Sequence, residues 1–226
     1  MALRTIALFV AALFAGGVSA IHARVSEPFE VDIRLRVDPS LTTRRITDRL
    51  KTETEAIWAP YGVRLGWADA ADAPESMANG LSLDASLERR FETRQQMQRP
   101  AVLGSVILAP DPPTRQPIRL SFDATERVLA LRETARPAMA GIVLDPELAR
   151  ALGRVLAHEI GHVLLGAPSH HPAGLMRASF RPDELGESDR TPFRLTCSGV
   201  DRLRGRLRAL NRDPQLVVGA PCISGH

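Results

Sequence analysis

A cluster of histidines with one glutamate, in the C-terminal half of the chain, has the residue types and spacing of a metal site. His158, Glu159 and His162 form an HExxH motif, and residues four apart on a helix lie on the same side, one turn apart. Two imidazoles are thereby presented to one ion. Zinc suits them because a catalytic zinc takes three protein ligands and leaves a fourth position for water, whose proton the glutamate can accept. Four of the six histidines fall within residues 157–176, which favours a built site over a chance match.

Two histidines further along the chain are candidates for a third metal ligand. Gly166 accepts the left-handed conformation common just past a helix C-terminus, and Pro168 prevents the helix from resuming. The chain can therefore turn under the helix. Either His170 or His171 can then return toward the metal.

The helix that carries the motif has clear end signals. Asp145 can cap free amides, and Pro146 is tolerated at the first helical position. The helix is predicted over about 146–165, where apolar residues spread widely around it. This distribution is typical of a helix buried through the middle of a domain.

The segments before this helix alternate between strand and helix patterns. Residues 29–37 alternate apolar and polar side chains as a half-buried strand does. An amphipathic helix at 41–59 and a strand at 63–67 follow, and a helix of this length favours a parallel crossover. The other expected elements are a loop at 68–80, a helix at 81–99, strands at 102–108 and 118–122, a helix at 124–132, a linker at 135–141, a loop at 180–191 and a helix at 197–210.

The N-terminus has the pattern of a secretory signal peptide. Arg4 precedes an apolar run at 6–14, and Val18-Ser19-Ala20 gives the small-residue ending, so we expect cleavage near Ala20, with Ala23 as a second possibility. The run is short of the roughly 20 residues that span a bilayer, so we expect no membrane insertion. Residues 21–226 are then predicted to be a single domain in a secreted or periplasmic protein.

The two cysteines, Cys197 and Cys222, are predicted to form a disulfide, since an exported protein meets an oxidising compartment. Two unpaired thiols are the alternative. Neither cysteine has the CxxC spacing of a metal site. A disulfide would tie the C-terminal tail to the last helix.

The charge pattern excludes a nucleic-acid surface. The formal net charge is +3, and removing the predicted signal peptide lowers it to +2 because only Arg4 is lost. The aromatic content of 4% leaves little material for stacking on bases. The one local excess, arginines at 202–212, is interpreted as the solvated face of a helix, with an anionic partner as the alternative.

The stretch HEIGHVLLGAPSHHPAGLM resembles the zincin metalloproteases and, within them, the metzincins. Their pattern is HExxHxxGxxH, followed by a turn whose methionine lies beneath the zinc. The positions that match two ligands, the general base, the helix-breaking glycine and the methionine of the turn (about 174–177) are His158, His162, Glu159, Gly166 and Met176. Here the glycine falls four residues after the second histidine instead of three. The chain is also similar to small secreted bacterial proteins in which GRVLAHEIGHVLLG precedes a histidine four residues on and then GLMR, and this spacing selects His170 as the third ligand.

The resemblance implies a fold and an activity. The fold is α+β, with a twisted, mostly parallel sheet packed on helices, a central active-site helix and a short C-terminal helical subdomain. The activity is that of a secreted endopeptidase in which Zn2+ is held by His158, His162 and His170, and Glu159 activates the zinc-bound water. The partner is a peptide or protein substrate.

Two points of this interpretation have alternatives. In another zincin arrangement a glutamate is the third ligand, for which Glu184 and Glu187 are available, although Pro182 and Gly186 favour a loop there. A non-catalytic secreted zinc-binding domain is the alternative function. The substrate is expected to pair with an exposed strand edge, either that at 102–108 or that at 118–122.

Overall fold

The computed structural model describes eight segments of the chain. They are residues 28–41, 44–68, 81–89, 102–108, 116–133, 144–166, 170–210 and 219–225. The predicted signal peptide (1–20), the predicted linker (135–141) and nearly all of the predicted loop at 68–80 lie outside the described residues. In the described segments, no helix combines the length and apolar character needed to cross a membrane.

Among the described residues, five strands form a single sheet. They are β1 (Phe29–Val37), β2 (Val63–Ala68), β3 (Leu81–Glu88), β4 (Gly104–Val106) and β5 (Gln116–Ser121). Their order is β2-β1-β3-β5-β4, with β4 antiparallel to β5 at one edge and every other pair parallel. The α+β class and the mostly parallel sheet predicted from the sequence are confirmed.

The alternating pattern of β1 explains its place inside the sheet. Phe29, Val31 and Ile33 are buried, whereas the polar residues between them are partly exposed. Phe29 is in parallel register with Val63 of β2, and Val31 with Leu81 of β3. The predicted crossover between β1 and β2 is therefore confirmed.

Five helices accompany the sheet in the segments that the structure describes. They are α1 (Arg44–Trp58), α2 (Phe122–Glu133), α3 (Leu144–Leu165), α4 (Pro182–Gly186) and α5 (Cys197–Ala209), with 3-10 turns at Ala59–Tyr61 and Thr191–Phe193. In α3 every residue from 151 to 165 is buried, as predicted for a helix through the middle of the fold. It ends at Gly166, whose φ of 60° is the left-handed conformation expected there.

Close packing against α1 holds α3 in place. The Thr54 hydroxyl donates to the Gly153 carbonyl at 3.1 Å, and the Trp58 indole N–H donates to the Ala157 carbonyl at 3.2 Å. A Cβ at Gly153 would lie 2.8 Å from the Leu50 carbonyl oxygen, so the glycine permits this approach. The motif helix is thus anchored to α1 along the turn that leads up to its first histidine.

Three predictions about elements are wrong. The helix expected at 81–99 begins instead as strand β3, because its apolar residues recur at every second position and those at 83, 85 and 87 are buried. The loop expected at 180–191 contains α4, where proline is accepted at the helix start and the Arg181 backbone N–H donates to the Glu184 carboxylate at 3.2 Å. The strand β5 is no exposed edge, because it pairs with β3 on one side and β4 on the other.

The predicted disulfide between Cys197 and Cys222 is confirmed. Thr196 caps α5 by accepting a hydrogen bond from the Gly199 N–H at 3.1 Å. The tail then lies beside the start of α5, where Ile223 forms a parallel bridge with Thr196. The outer side of α5 carries the exposed arginines Arg202, Arg206 and Arg208, in agreement with a solvated face.

Candidate metal centre

Three histidines converge at the C-terminal end of α3. His158 and His162 lie one turn apart on the helix, and His170 returns to them after the break at Gly166. One ring nitrogen from each lies within 4.8 Å of the other two, so the group could hold a metal ion. His158 and His162 are buried and His170 is exposed. The structure therefore brings together the three histidines named from the sequence.

The spacing of the ring nitrogens suits a small divalent cation. The Nε2 atoms of His158 and His162 are 3.1 Å apart. Two nitrogens about 2.0–2.1 Å from a tetrahedral zinc would be about 3.3–3.4 Å apart, so little movement is needed. The ring centroid of His170 lies 5.3 Å from that of His158 and 5.0 Å from that of His162.

A backbone carbonyl fixes the orientation of the first histidine. The Nδ1 atom of His158 is 2.7 Å from the carbonyl oxygen of Leu175. Because a carbonyl can only accept, Nδ1 carries the proton and Nε2 keeps its lone pair on the side of the cluster. Phe180 packs edge-on against the same imidazole, with ring centroids 5.4 Å apart.

Burial keeps the first histidine neutral. Burial is the main cause that lowers the pKa of His158 to about 4; the bond to Leu175 opposes this shift, and the nearby His162 and His170 add to it. Partial burial, and then the charge of His162, also lower the pKa of His170. Neutral imidazoles are the form that binds a metal.

Glu159 lies beside the cluster under the edge strand. Its side chain is buried, and this desolvation raises its pKa to about 7. A Cβ at Gly104 of β4 would lie 2.8 Å from the Glu159 Oε1 atom and 2.6 Å from Val155 Cγ1. The missing side chain at Gly104 therefore allows the edge strand to pass directly over the carboxylate.

The methionine of the predicted turn has a packing position. Met176 is 3% exposed, and its Sδ atom lies against Gly161. Gly161 stands between His158 and His162 in the sequence. Its carbonyl accepts the backbone N–H of His171 at 2.8 Å. Met176 thus supports the helix from beneath.

The alternative third ligands lie elsewhere. His171 directs Nδ1 toward the Thr196 hydroxyl at 3.3 Å, and it is not in the three-histidine group. Glu184 forms an ion pair with Arg177 at 2.6 Å and accepts the backbone N–H of Arg181. Glu187 is exposed just after α4 and is also not in the group.

A buried ion pair braces α3 one turn before His158. Arg154 is fully buried, donates from Nε to Glu53 at 3.0 Å, and donates to the carbonyl of Asp189 at 2.9 Å. Its guanidinium also donates to the carbonyls of residues 184 and 185 and stacks 4.2 Å above the Phe193 ring. Phe193 in turn stacks on Phe180, which contacts His158. Arg154 thereby links α1, α3 and the segment that covers the first histidine.

Sequence reasoning missed the Leu175 carbonyl, Gly104 and Arg154. Gly104 had a usable signal, since an isolated glycine in a strand pattern indicates a close backbone approach. The other two had none, because a backbone acceptor and the pairing of Arg154 with Glu53, 101 residues away, leave no local pattern.

Comparisons with known proteins leave the site to be interpreted from its own geometry. No protein-family model matches the chain, and no curated protein matches it significantly. Fold and site together define an α+β protein with a mostly parallel sheet and a three-histidine cluster that could hold a metal ion.

Proposed function

We propose that this protein is a secreted, zinc-dependent endopeptidase of the metzincin-like zincin type. The observation that carries the proposal is the position of Glu159. A buried carboxylate lies directly after a histidine of the cluster and directly beneath β4, the edge strand of the described sheet. A protein that only binds metal has no need of a carboxylate there.

The residues fit zinc in number, type and spacing. His158, His162 and His170 would hold the ion through imidazole nitrogens, a common zinc ligand set with one position left open. When bound, zinc would lower the pKa of a coordinated water toward about 7 and polarise a carbonyl group. Among the described residues, the candidate metal-binding group has three side chains. A structural zinc site uses four protein ligands, one more than this group provides.

Glu159 is the general base and then the general acid of the reaction. It takes the proton from the attacking water as the new C–O bond forms at the scissile carbonyl. It then gives this proton to the leaving amine as the C–N bond breaks. Water is consumed, a carboxylic acid and an amine are released, and Glu159 ends as it began.

The edge strand β4 offers a place for an extended substrate. The Ser121 N–H donates to the Leu103 carbonyl at 2.9 Å, and the Ile107 N–H donates to the Pro117 carbonyl at 3.3 Å. Because bonded pairs alternate in an antiparallel ladder, the N–H and C=O groups of Gly104 and Val106 point away from β5. Within the described segments no strand pairs with that side of β4. An extended peptide that paired there would pass over Glu159.

The flanks of β4 suit an apolar substrate. Val102 is 41% exposed and Ile107 is 67% exposed. In the described part of the chain, Leu210 is the other large apolar residue that is exposed. A charge-free, apolar strand edge is unusual unless another chain binds to it, since edges are commonly protected by charge.

The test is peptide cleavage by Glu159→Gln. Wild-type mature protein with zinc is incubated with a denatured protein and with a random peptide library, and new termini are identified by mass spectrometry. Glu159→Gln should bind zinc but cleave nothing, while Glu126→Gln, an exposed position on α2, should cleave as the wild type does. Full activity in Glu159→Gln would refute the proposed role of this residue.

A further inference from the structure

Tyr61, the single tyrosine of the chain, joins two segments that are distant in sequence. It lies in the 3-10 turn after α1 and is 1% exposed. Its hydroxyl accepts the backbone N–H of Leu195 at 2.8 Å and donates to the carbonyl of Pro221 at 3.1 Å. Burial raises the pKa of Tyr61, so the hydroxyl keeps the proton that it donates.

The two segments are the middle and last parts of a three-segment stack, defined as residues 174–177, 194–197 and 221–225. The Leu175 N–H donates to the Arg194 carbonyl at 2.8 Å, which joins the first segment to the second. The Ile223 N–H donates to the Leu195 carbonyl at 3.0 Å, and the Ile223 carbonyl accepts from Cys197 at 3.1 Å. The Cys197–Cys222 disulfide closes the third segment onto the second.

The first segment of the stack, residues 174–177, carries the carbonyl that orients His158. Leu175 both receives the His158 ring N–H and donates to the middle segment. Gly174 has a φ of 75°, and a Cβ there would lie 2.5 Å from the Arg194 carbonyl oxygen and 3.2 Å from Ile223 Cδ1. The turn at Gly174 therefore lies directly against the other two segments, and their position sets the position of the Leu175 carbonyl.

We propose that Tyr61 is a positioning residue for the metal site and that it acts through the three-segment stack. Its hydroxyl and the Cys197–Cys222 disulfide hold the tail and the middle segment together, and these hold the Leu175 carbonyl against His158. Loss of either lets the imidazole turn and weakens metal binding. This inference rests on the proposed metal site, but not on peptidase activity.

The experiment compares the zinc affinity of folded variants by competition with a chromophoric chelator. Tyr61→Phe removes the hydroxyl and keeps the ring, and it should weaken zinc binding by about tenfold, as loss of a group that supports a metal ligand does. Thr125→Val is the matched control, because it removes a buried hydroxyl that donates to the Ser121 carbonyl at 2.8 Å, outside the stack. Thr125→Val should keep wild-type affinity. If Tyr61 serves only the stability of the fold, Tyr61→Phe will unfold more easily but bind zinc as the wild type does, which overturns the proposal.

Removal of the disulfide is an independent test of the role of the stack, and it can be made even if Tyr61→Phe fails to fold. The double variant Cys197→Ser, Cys222→Ser should lose zinc affinity in the same direction, and unchanged affinity would overturn the role of the stack. Wild-type protein that binds no zinc would overturn both this inference and the proposed function. Zinc binding that is equal in the wild type, Tyr61→Phe and the double variant would overturn this inference alone.

Discussion

Replacement of Gly104 by alanine tests the contact between the edge strand and the proposed catalytic base. The new Cβ would lie 2.6 Å from Val155 Cγ1, 2.8 Å from Glu159 Oε1 and 3.0 Å from Glu159 Cγ. Carbon atoms pack best at about 3.5–4.0 Å, so β4 or these side chains must move by about 1 Å. Overpacking of this kind costs about 1–3 kcal/mol of the free energy of unfolding.

Unfolding of the zinc-free protein in denaturant and by heat measures this cost. In a chain of this size each kcal/mol lowers Tm by about 2–4 °C. The matched control is Gly205→Ala, where nothing lies within 4 Å of the added Cβ on helix α5. Alanine there should instead stabilise the protein by about 0.5–1 kcal/mol, since glycine is unfavourable inside a helix.

The same variant also affects the proposed chemistry. Because the methyl group would press on Glu159, peptide cleavage by Gly104→Ala should fall by about 100-fold, the loss that a displacement of about 1 Å can produce. Zinc content should be unchanged, since the three atoms nearest to the added methyl group belong to Val155 and Glu159 and not to a metal-binding histidine. Wild-type stability and wild-type cleavage in Gly104→Ala would refute the packing of β4 on Glu159.

Three further predictions concern the supports of the site. Arg154→Met removes one of two arginine partners of the buried Glu53, which keeps its hydrogen bonds from Arg190, and it removes the donor to the carbonyls of residues 184, 185 and 189. It should cost about 1–3 kcal/mol in denaturant titrations; a loss within the range of an exposed ion pair, about 0–1 kcal/mol, would contradict this. Thr196→Ala removes the acceptor that caps α5 and should lower the free energy of unfolding by about 0.5–2 kcal/mol in the same assay. An unchanged free energy of unfolding would show that the cap contributes nothing. Zinc at about 100 times its Kd should stabilise the wild type by about 2.7 kcal/mol. His158→Ala should lack this gain, and an equal gain would place the zinc elsewhere.

Residue patterns were sufficient where one local rule decides the structure. Alternation predicted β1 with the bounds that the structure has, 29–37. Asp145, Pro146 and Gly166 predicted the two ends of α3 to within two residues. The disulfide followed from the number of cysteines and the predicted compartment.

Patterns failed where two signals competed or where the cause is tertiary. Leucines and Phe91 suggested a helical period at 81–99, but burial on one face of a sheet selected the period of two in β3. Proline and glycine suggested a loop at 182–186, but they stand at the two ends of a short helix. The loop pattern left His170 and His171 equal, because a loop has no period, and only the resemblance favoured His170. The folded chain turns His170 toward the cluster and His171 toward Thr196.

The most direct test of the central claim, that three histidines hold zinc at this site, is elemental analysis of purified mature protein after dialysis against zinc. The wild type is measured beside His170→Ala and His171→Ala. We expect about one zinc per chain in the wild type and in His171→Ala, and loss of zinc in His170→Ala, as for a site with three protein ligands. A wild type without zinc, or zinc lost from His171→Ala but kept by His170→Ala, would contradict this assignment.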